Sequence, residues 1–386
     1  MERVNDDKLN YRICSRCVMD TSDPDIKFDQ SGVCSHCNEF ETITRQNWFP
    51  NEQGLKLWSK QVEQIKATGY GHEYDCILGL SGGVDSSYLA IKVHEWGLRP
   101  LVVHVDAGWN SELAVANIEA IVKHCGYDLH THVVDWEEMR DLHLAYLRAG
   151  IANQDVPQDH IFFASLYHFA TRNRIRYILS GGNLATEAIF PKSWHGSAMD
   201  AINLKAIHRQ FGERPLRNYQ TISFFQYYIW YPLVKKMRTV RPLNYMPYDK
   251  NMAIETLVTT IGYKPYGRKH GESQFTKLFQ NYYLPKRFGY DKRRPHLSSL
   301  IVSGQMTREE ATAKLEEPLY DLHELEIDIA YFCKKLRISR QQFDELVNAP
   351  IRTHAEFPTW DRRYRVLKGL QALVARITGR KLKVYS

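Results

Sequence analysis

Two groups of residues combine type and spacing in a way that chemistry requires. The first is Ser81-Gly82-Gly83-Val84-Asp85-Ser86-Ser87, which follows the apolar run Cys76-Ile77-Leu78-Gly79-Leu80 and precedes Leu89, Val93 and Trp96 at helical spacing. A buried strand, a glycine turn and a helix start, in that order, predict a phosphate cradle. Glycine lets backbone N–H groups close on a ligand, and the helix N-terminus adds partial positive charge. The hydroxyls of Ser81, Ser86 and Ser87 can donate to phosphate oxygens. Asp85 would repel a phosphate unless Mg2+ stands between them, so it reads as a metal-holding residue. The segment ends in neither the Gly-Lys-Ser/Thr of a Walker loop nor the pattern G-x-G-x-x-G.

The second group is Cys14, Cys17, Cys34 and Cys37, spaced C-x2-C-x16-C-x2-C. Two such knuckles each supply one edge of a tetrahedron, which predicts a structural zinc ribbon; an iron–sulfur cluster or idle thiols are the other readings. Four protein ligands leave no open position, so the expected task is folding a segment too short to fold by burial alone. Cys76, Cys125 and Cys333 sit in apolar surroundings and read as small core hydrophobes.

The chain that must position these groups has 386 residues, 44% hydrophobic and 25% charged, with a formal charge of +7. That length suggests two or three compact units and rules out a disordered, collagen-like or disulfide-stapled chain. No apolar run approaches the roughly 18–20 residues that span a bilayer, and the start Met1-Glu2-Arg3-Val4-Asn5-Asp6-Asp7 is too polar for a secretory signal. A cytoplasmic protein without a transmembrane segment is expected. Between Lys264 and Arg294 nine Lys/Arg face only Glu272 and Asp291, a density that favours phosphates, nucleotides or nucleic acid, or else marks a solvated helix face.

Residues 47–64 read as a polar linker running into a short helix. Buried strands are predicted over 76–80, 101–105, 131–134 and 177–179, with helices over 85–96, 111–125, 136–149 and 159–174. This alternation predicts an α/β fold with a parallel, doubly wound sheet, whose ligands bind outside the carboxyl ends of the strands. Three of the four strand ends carry Gly or Asp. Beyond Asn183 the pattern loosens: 223–231 reads as an aromatic-rich, buried or partner-facing helix. Thr307 with Glu310, and Ser339 with Gln342, match capping boxes in a mostly helical C-terminal region.

Ser81-Gly82-Gly83-Val84-Asp85-Ser86 resembles the PP-loop of the ATP pyrophosphatases, whose fold is adenine nucleotide α-hydrolase-like. The resemblance covers residues 74–190, including the second glycine turn Gly181-Gly182-Asn183-Leu184-Ala185-Thr186-Glu187 and the strand end His104-Val105-Asp106. It implies cleavage of ATP to AMP and pyrophosphate, with Mg2+ shared by Asp85 and Glu187. It also implies nucleotide contacts from Ser81, Gly82, Gly83, Val84, Asp85, Ser86, Ser87, Asp106, Gly181, Gly182 and Asn183.

The whole chain is similar to the N-acetyl sugar amidotransferases of bacterial surface-polysaccharide synthesis. The residues that carry this are Ile13-Cys14-Ser15-Arg16-Cys17-Val18-Met19-Asp20, the phosphate loop, and Tyr263-Lys264-Pro265-Tyr266-Gly267-Arg268-Lys269-His270-Gly271-Glu272-Ser273. The resemblance implies a zinc ribbon (1–50), a PP-loop domain (51–240) and a mostly helical C-terminal region (241–386). It implies that the acetamido oxygen of a nucleotide-linked sugar attacks the α-phosphate of ATP, and that ammonia then displaces AMP to leave an acetamidine. The implied substrate is a UDP-diacetamido-hexuronic acid on the path to an O-antigen repeat, with no nucleic acid involved. Arg268 and Lys269, with His270, are placed nearest the anions; Lys286, Arg287, Arg293 and Arg294 belong to a lid or to the surface. No cysteine lies in a glutaminase-like elbow, so ammonia is expected from a separate class I glutaminase, docked near 224–231 or the C-terminal helices. The rival resemblance is to zinc-ribbon tRNA thiolases, which need a cysteine near the ATP site; Val156-Pro157-Gln158-Asp159-His160 has none.

Overall fold

The computed structural model describes residues 11–266 and 271–378. The N-terminal part runs α1 (Ser35–Glu39), α2 (Glu52–Gly69), β1 (Cys76–Gly79), α3 (Val84–Glu95), β2 (Pro100–Asp106), α4 (Glu112–Cys125) and β3 (Leu129–Val133). Then follow α5 (Trp136–Ala149), α6 (Val156–Arg172), β4 (Tyr177–Leu179), α7 (Leu184–Glu187), α8 (Ala201–Phe211), β5 (Arg238–Val240) and α9 (Lys250–Ile261). The rest is helical: α10 (Gln274–Leu278), α11 (Leu284–Phe288), α12 (Arg293–Val302), α13 (Arg308–Glu316), α14 (Leu322–Leu336), α15 (Arg340–Asn348) and α16 (Asp361–Thr378).

The five strands form one parallel sheet in the order β3-β2-β1-β4-β5. Successive strand side chains point to opposite faces, and here both faces are buried. Ile77, Val103 and Ile178 join Leu142 and Tyr146 of α5 and Ile161 of α6 on one face. Cys76, Leu78, Val102 and Leu179 meet Ile65 of α2, Leu89 and Val93 of α3, Ile121 of α4 and Leu257 of α9 on the other. The expected doubly wound α/β sheet is therefore present.

Several local expectations need correction. The linker over 47–64 is shorter, and the helix it runs into longer, than expected: Asn51 caps α2 by accepting from the Gly54 N–H at 3.0 Å, and Trp58, Val62 and Ile65 bury one stripe of that helix. The fold has a fifth strand, β5, whose Arg-Thr-Val is too short and polar to stand out from sequence. The aromatic segment forms a π-helical stretch over Gln226–Val234 around Pro232, with Tyr231 buried and Trp230, Leu233 and Val234 facing out. Helix α6 begins three residues earlier than expected because Pro157 fits its first turn. Both capping boxes, at Thr307 and Ser339, are formed.

The C-terminal helices pack back on the sheet domain and on the cysteine-rich N-terminus. Trp109, from the turn after β2, lies 5.3 Å from Phe275 of α10 and 5.4 Å from Phe332 of α14 between ring centroids. Among the described residues no helix is long and apolar enough to cross a membrane.

Candidate active site

Residues Ser81 to Ser87 join the end of β1 to α3, with Gly83 as the helix N-cap. Gly82 has φ +80°, and a Cβ there would stand 2.7 Å from the Ala114 carbonyl oxygen, so only glycine fits this turn. The Gly83 N–H donates to Ser81 Oγ at 3.2 Å, and Ser86 Oγ donates to the Gly83 carbonyl at 3.1 Å. Ser81 Oγ and Ser86 Oγ lie 3.0 Å apart. The loop thus holds its own hydroxyls in a closed ring at a helix N-terminus, the place where phosphate oxygens bind.

The second glycine turn lies directly against it. A Cβ on Gly181 would come within 2.8 Å of the Ser86 nitrogen and 2.9 Å of the Asp85 carbonyl carbon. Asn183 caps α7 by accepting from the Thr186 N–H at 3.0 Å, while its Nδ2 donates to Asp85 Oδ1 at 3.3 Å. The same Asp85 oxygen accepts from the Tyr248 hydroxyl. Burial, then the neighbouring Asp85 carboxylate, raises the Tyr248 phenol well above its ordinary pKa, so it remains a donor. Glu187, exposed at the end of α7, places Oε2 3.6 Å from where a Cβ of Gly182 would stand, and Arg241 Nε lies 3.8 Å from the same point. The loops from β1 and β4 thus bring together Ser81 to Ser87, Gly181, Gly182, Asn183 and Glu187.

Asp106 lies at the end of β2, where its Oδ1 accepts from the Gly108 N–H at 2.8 Å and Asn110 Nδ2 at 3.1 Å. It folds its own turn. His104 ties that turn to the phosphate loop: Nδ1–H donates to the Leu80 carbonyl at 2.9 Å, so Nε2 accepts from Asn110 Nδ2 at 3.0 Å.

A strap formed by residues of the third quoted motif crosses these strand ends. The hydroxyls of Tyr263 and Tyr266 both donate to the Gly82 carbonyl, at 3.0 and 3.1 Å. Asn117 of α4 pairs with both backbone groups of Lys264, at 2.9 and 3.0 Å. Further on, the Glu272 carbonyl accepts from the Ser111 N–H at 2.9 Å, and Thr276 Oγ1 donates to Asp155 Oδ1 at 2.9 Å. Arg268, Lys269 and His270 lie outside the described residues.

Much of the basic stretch from Lys277 onward is committed to the fold, which corrects the reading of Arg287, Arg293 and Arg294 as lid or surface residues. Arg287 donates to the carbonyls of Leu346, Val347 and Pro350. Arg293 grips Asp291 and donates to the carbonyls of Lys314 and Glu317 at 3.0 and 2.7 Å. Arg294 donates to the Val18 carbonyl at 2.8 Å and pairs with Asp20 at 3.0 Å. Lys277 pairs with Glu324 and Asp328. Lys264 and Lys286 are exposed.

The four N-terminal cysteines are buried with all their sulfur atoms within 4.8 Å of one another. Cys14 and Cys37 sulfurs stand 3.9 Å apart, and those of Cys17 and Cys34 3.7 Å. Tetrahedral zinc with bonds of about 2.3 Å separates its thiolates by about 3.8 Å, so the set fits one such ion. Backbone N–H groups of Arg16, Cys17 and Cys34 point at Cys14 Sγ, and hydrogen bonds from the other three cysteines lower its pKa. Arg308 clamps the outside, donating to the carbonyls of Cys14 and Cys17 at 3.2 Å each. This ribbon buttresses the Glu187 loop: Asp23 accepts from Ser193 Oγ at 2.6 Å, and Ile189 packs on the cysteine core.

Tyr248, Asn117 and Arg241 gave no signal in the sequence, because each reaches the site only through the tertiary fold. Tyr263 and Tyr266 stood within a quoted motif, but nothing there pointed to Gly82.

Residues 272–371 match the family model described as "LPS biosynthesis protein WbpG-like, C-terminal domain". Over these residues the chain is similar to the WbpG-like proteins. The match bears out the resemblance read from the sequence, and its domain starts on the strap that closes over the phosphate loop. No curated protein matches the chain. Among solved structures, the chain is similar to an NMN synthetase from Francisella tularensis, at 12% identity and a TM-score of 0.35, covering 69% of this chain and 98% of that one. It is also similar to the U34-tRNA thiolase NcsA from Methanococcus maripaludis with its [4Fe-4S] cluster (13% identity, TM-score 0.33, 66% and 79% covered). An NH3-dependent NAD synthetase from Campylobacter jejuni subsp. jejuni NCTC 11168, in complex with the nitrate ion, gives 13% identity, a TM-score of 0.32 and coverage of 69% and 97%. At such scores these three likenesses decide nothing about this chain.

Proposed function

We propose that this WbpG-like protein is an ATP-dependent amidotransferase of lipopolysaccharide O-antigen biosynthesis. It converts an acetamido group of a nucleotide-linked sugar, in the first instance a UDP-diacetamido-hexuronic acid, to an acetamidino group. The observation that carries this reading is the face-to-face packing of two glycine turns, with Asp85 on one and Glu187 on the other, beneath a strap that leads into the WbpG-like domain.

The phosphate loop would take the ATP phosphates, and Asp85 and Glu187 would hold Mg2+, which supplies charge neutralisation for the pyrophosphate leaving group. Tyr248 and Asn183 orient Asp85 by binding one of its oxygens. Arg268 and Lys269 would add cations at the anions. The reading divides the chain into a zinc ribbon (1–50), an ATP pyrophosphatase domain (51–240) and a substrate-binding C-terminal region (241–386), working in the cytoplasm. Zinc at the four cysteines is structural in this reading, since all four positions are filled by protein.

A tRNA thiolase is less well supported. Cys76 is buried in β1 and Cys125 at the end of α4, and burial pushes the first thiol up and the second to about 11, away from reactive thiolate character. The test is to incubate the protein with ATP, Mg2+, ammonium and UDP-diacetamido-hexuronic acids, and to separate the nucleotides. AMP and pyrophosphate should form in step with sugar consumption; stoichiometric ADP would overturn the proposal.

A further inference from the structure

The phosphate loop stands at the carboxyl end of β1, and a second concavity opens at the amino ends of the strands. It is a cleft of about 770 Å3, formed where α2 and α6 end and β4 and β5 begin. Arg174, Arg176, Lys235 and His72 line it with Val234 and Met237, and no described carboxylate is among its walls. Its cations come from two segments, Arg172-Asn173-Arg174-Ile175-Arg176 and Lys235-Lys236-Met237-Arg238, neither of which holds an acidic residue. The backbone locks the two together, the Arg238 N–H donating to the Arg176 carbonyl at 2.8 Å. The side chains of Arg174, Arg176, Lys235, Lys236 and Arg238 are all exposed, and none has an ion-pair partner among the described residues. Like charges gathered around one cleft repel each other and attract an anion.

Apolar side chains stand beside these cations. The π-helical stretch that leads into Lys235 buries Tyr231 and turns Trp230, Leu233 and Val234 outward. Lys235 joins the two features, lining the cleft while its Nζ lies 5.6 Å from the centroid of the Trp230 ring.

We propose that this end of the molecule docks on an anionic phospholipid surface. A headgroup phosphate enters the cleft, and Trp230, Leu233 and Val234 enter the boundary between headgroups and acyl chains. Clustered Lys and Arg beside Trp and aliphatic side chains are the two components of peripheral membrane binding. A protein partner is a poorer fit, because protein interfaces put apolar residues at the centre and charges on the rim, and here the charges line the hollow. Single-stranded nucleic acid needs open aromatic faces, whereas Leu233 and Val234 are aliphatic and Lys235 takes one face of Trp230. A second copy of this face would set cation against cation. Docking here leaves the phosphate loop, at the opposite strand ends, free for its ligands. The inference does not rest on the amidotransferase reading.

The experiment sediments the whole chain with vesicles of phosphatidylglycerol and phosphatidylcholine, and with vesicles of phosphatidylcholine alone. Only the anionic vesicles should carry the protein down, and less of it as salt rises. Arg174→Gln with Arg176→Gln should lower the partition coefficient by about tenfold or more, whereas Arg174→Lys with Arg176→Lys, which keeps both charges, should retain most of the binding. Leu233→Ser with Val234→Ser should weaken binding as well, with unchanged thermal melts in each case. If the serine pair lowers the melting temperature, the two arginine pairs, changed only at exposed side chains, decide alone. Glycerol phosphate at the concentration of the headgroups should not displace the vesicles; full displacement would make this a site for a free phosphate and overturn the inference. Absent binding to anionic vesicles, equal binding to neutral ones, or glutamine variants that bind like wild type would also overturn it. So would tighter binding to single-stranded RNA than to the vesicles, lost in the same glutamine variants, which would assign the cleft to nucleic acid.

Discussion

At Asp85 one carboxylate oxygen accepts from both Asn183 and Tyr248, so the side chain is fixed before any ligand arrives. Such preorganisation is where an enzyme gains most from electrostatics. Asp85→Ala and Glu187→Ala should each lower turnover on the order of a hundredfold or more without a matching loss of stability, which steady-state kinetics and thermal melts separate. Two buried histidines set a different, pH-dependent property. Burial pushes His143 to about 3 and His160 to about 4, and each accepts at Nε2, from Trp109 Nε1 at 3.1 Å and the Ile222 N–H at 3.1 Å. Protonation would set a donor against a donor. Because the folded pKa values lie below the unfolded value near 6.5, their stabilisation is complete above about pH 6.5 and is lost as pH falls toward 4 and 3. Melting temperature should therefore drop between pH 7 and pH 4.5. His143→Gln, which keeps an acceptor but cannot titrate in this range, should flatten part of that slope; an unchanged slope would count against this account.

At the scale of elements, the site depends on how closely two loops approach. Gly181→Ala would place a methyl 2.8 Å from the Ser86 nitrogen, a backbone atom that cannot move aside cheaply. The variant should lose about 1–3 kcal/mol of stability and bind ATP more weakly, as denaturant melts and nucleotide titration would show. Unchanged ATP affinity would mean that the turns do not share a ligand. How much of this was legible in the sequence follows from range. The strand–turn–helix unit at Ser81 is local, as are the apolar strands, the glycine turns and the capping boxes, and each was readable. β5 was not, because Arg-Thr-Val becomes a strand only by pairing with β4. The roles of Arg287, Arg293 and Arg294 were misread for the same reason: their partners are carbonyls as distant in sequence as Val18 and Pro350. Tyr248 reaches Asp85 across 163 positions, and no spacing rule spans that distance.

Across the whole molecule, the cysteine ribbon, α12 and α7 form one support for Glu187. The Val18 N–H donates to Ser298 Oγ at 3.2 Å, and the neighbouring Ser299 Oγ accepts from the Ile189 N–H at 2.9 Å. Chelation or Cys14→Ser should therefore lower melting temperature and solubility; a metal-free protein that stayed folded but lost only its chemical step would contradict a structural role. The synthetase reading also requires a nitrogen supply, and the remaining cysteines, Cys76, Cys125 and Cys333, are all buried. Free ammonium should support the reaction of the purified chain, whereas glutamine should do so only after a class I glutaminase partner is added. Efficient use of glutamine by the single chain would contradict that division of labour. The most direct test of the central claim is mass spectrometry of the sugar after incubation with ATP, Mg2+ and isotopically heavy ammonium. The amidotransferase account predicts a UDP-sugar in which one acetamido oxygen is replaced by a labelled NH, one per AMP released; AMP formation without labelled nitrogen in the sugar would contradict it.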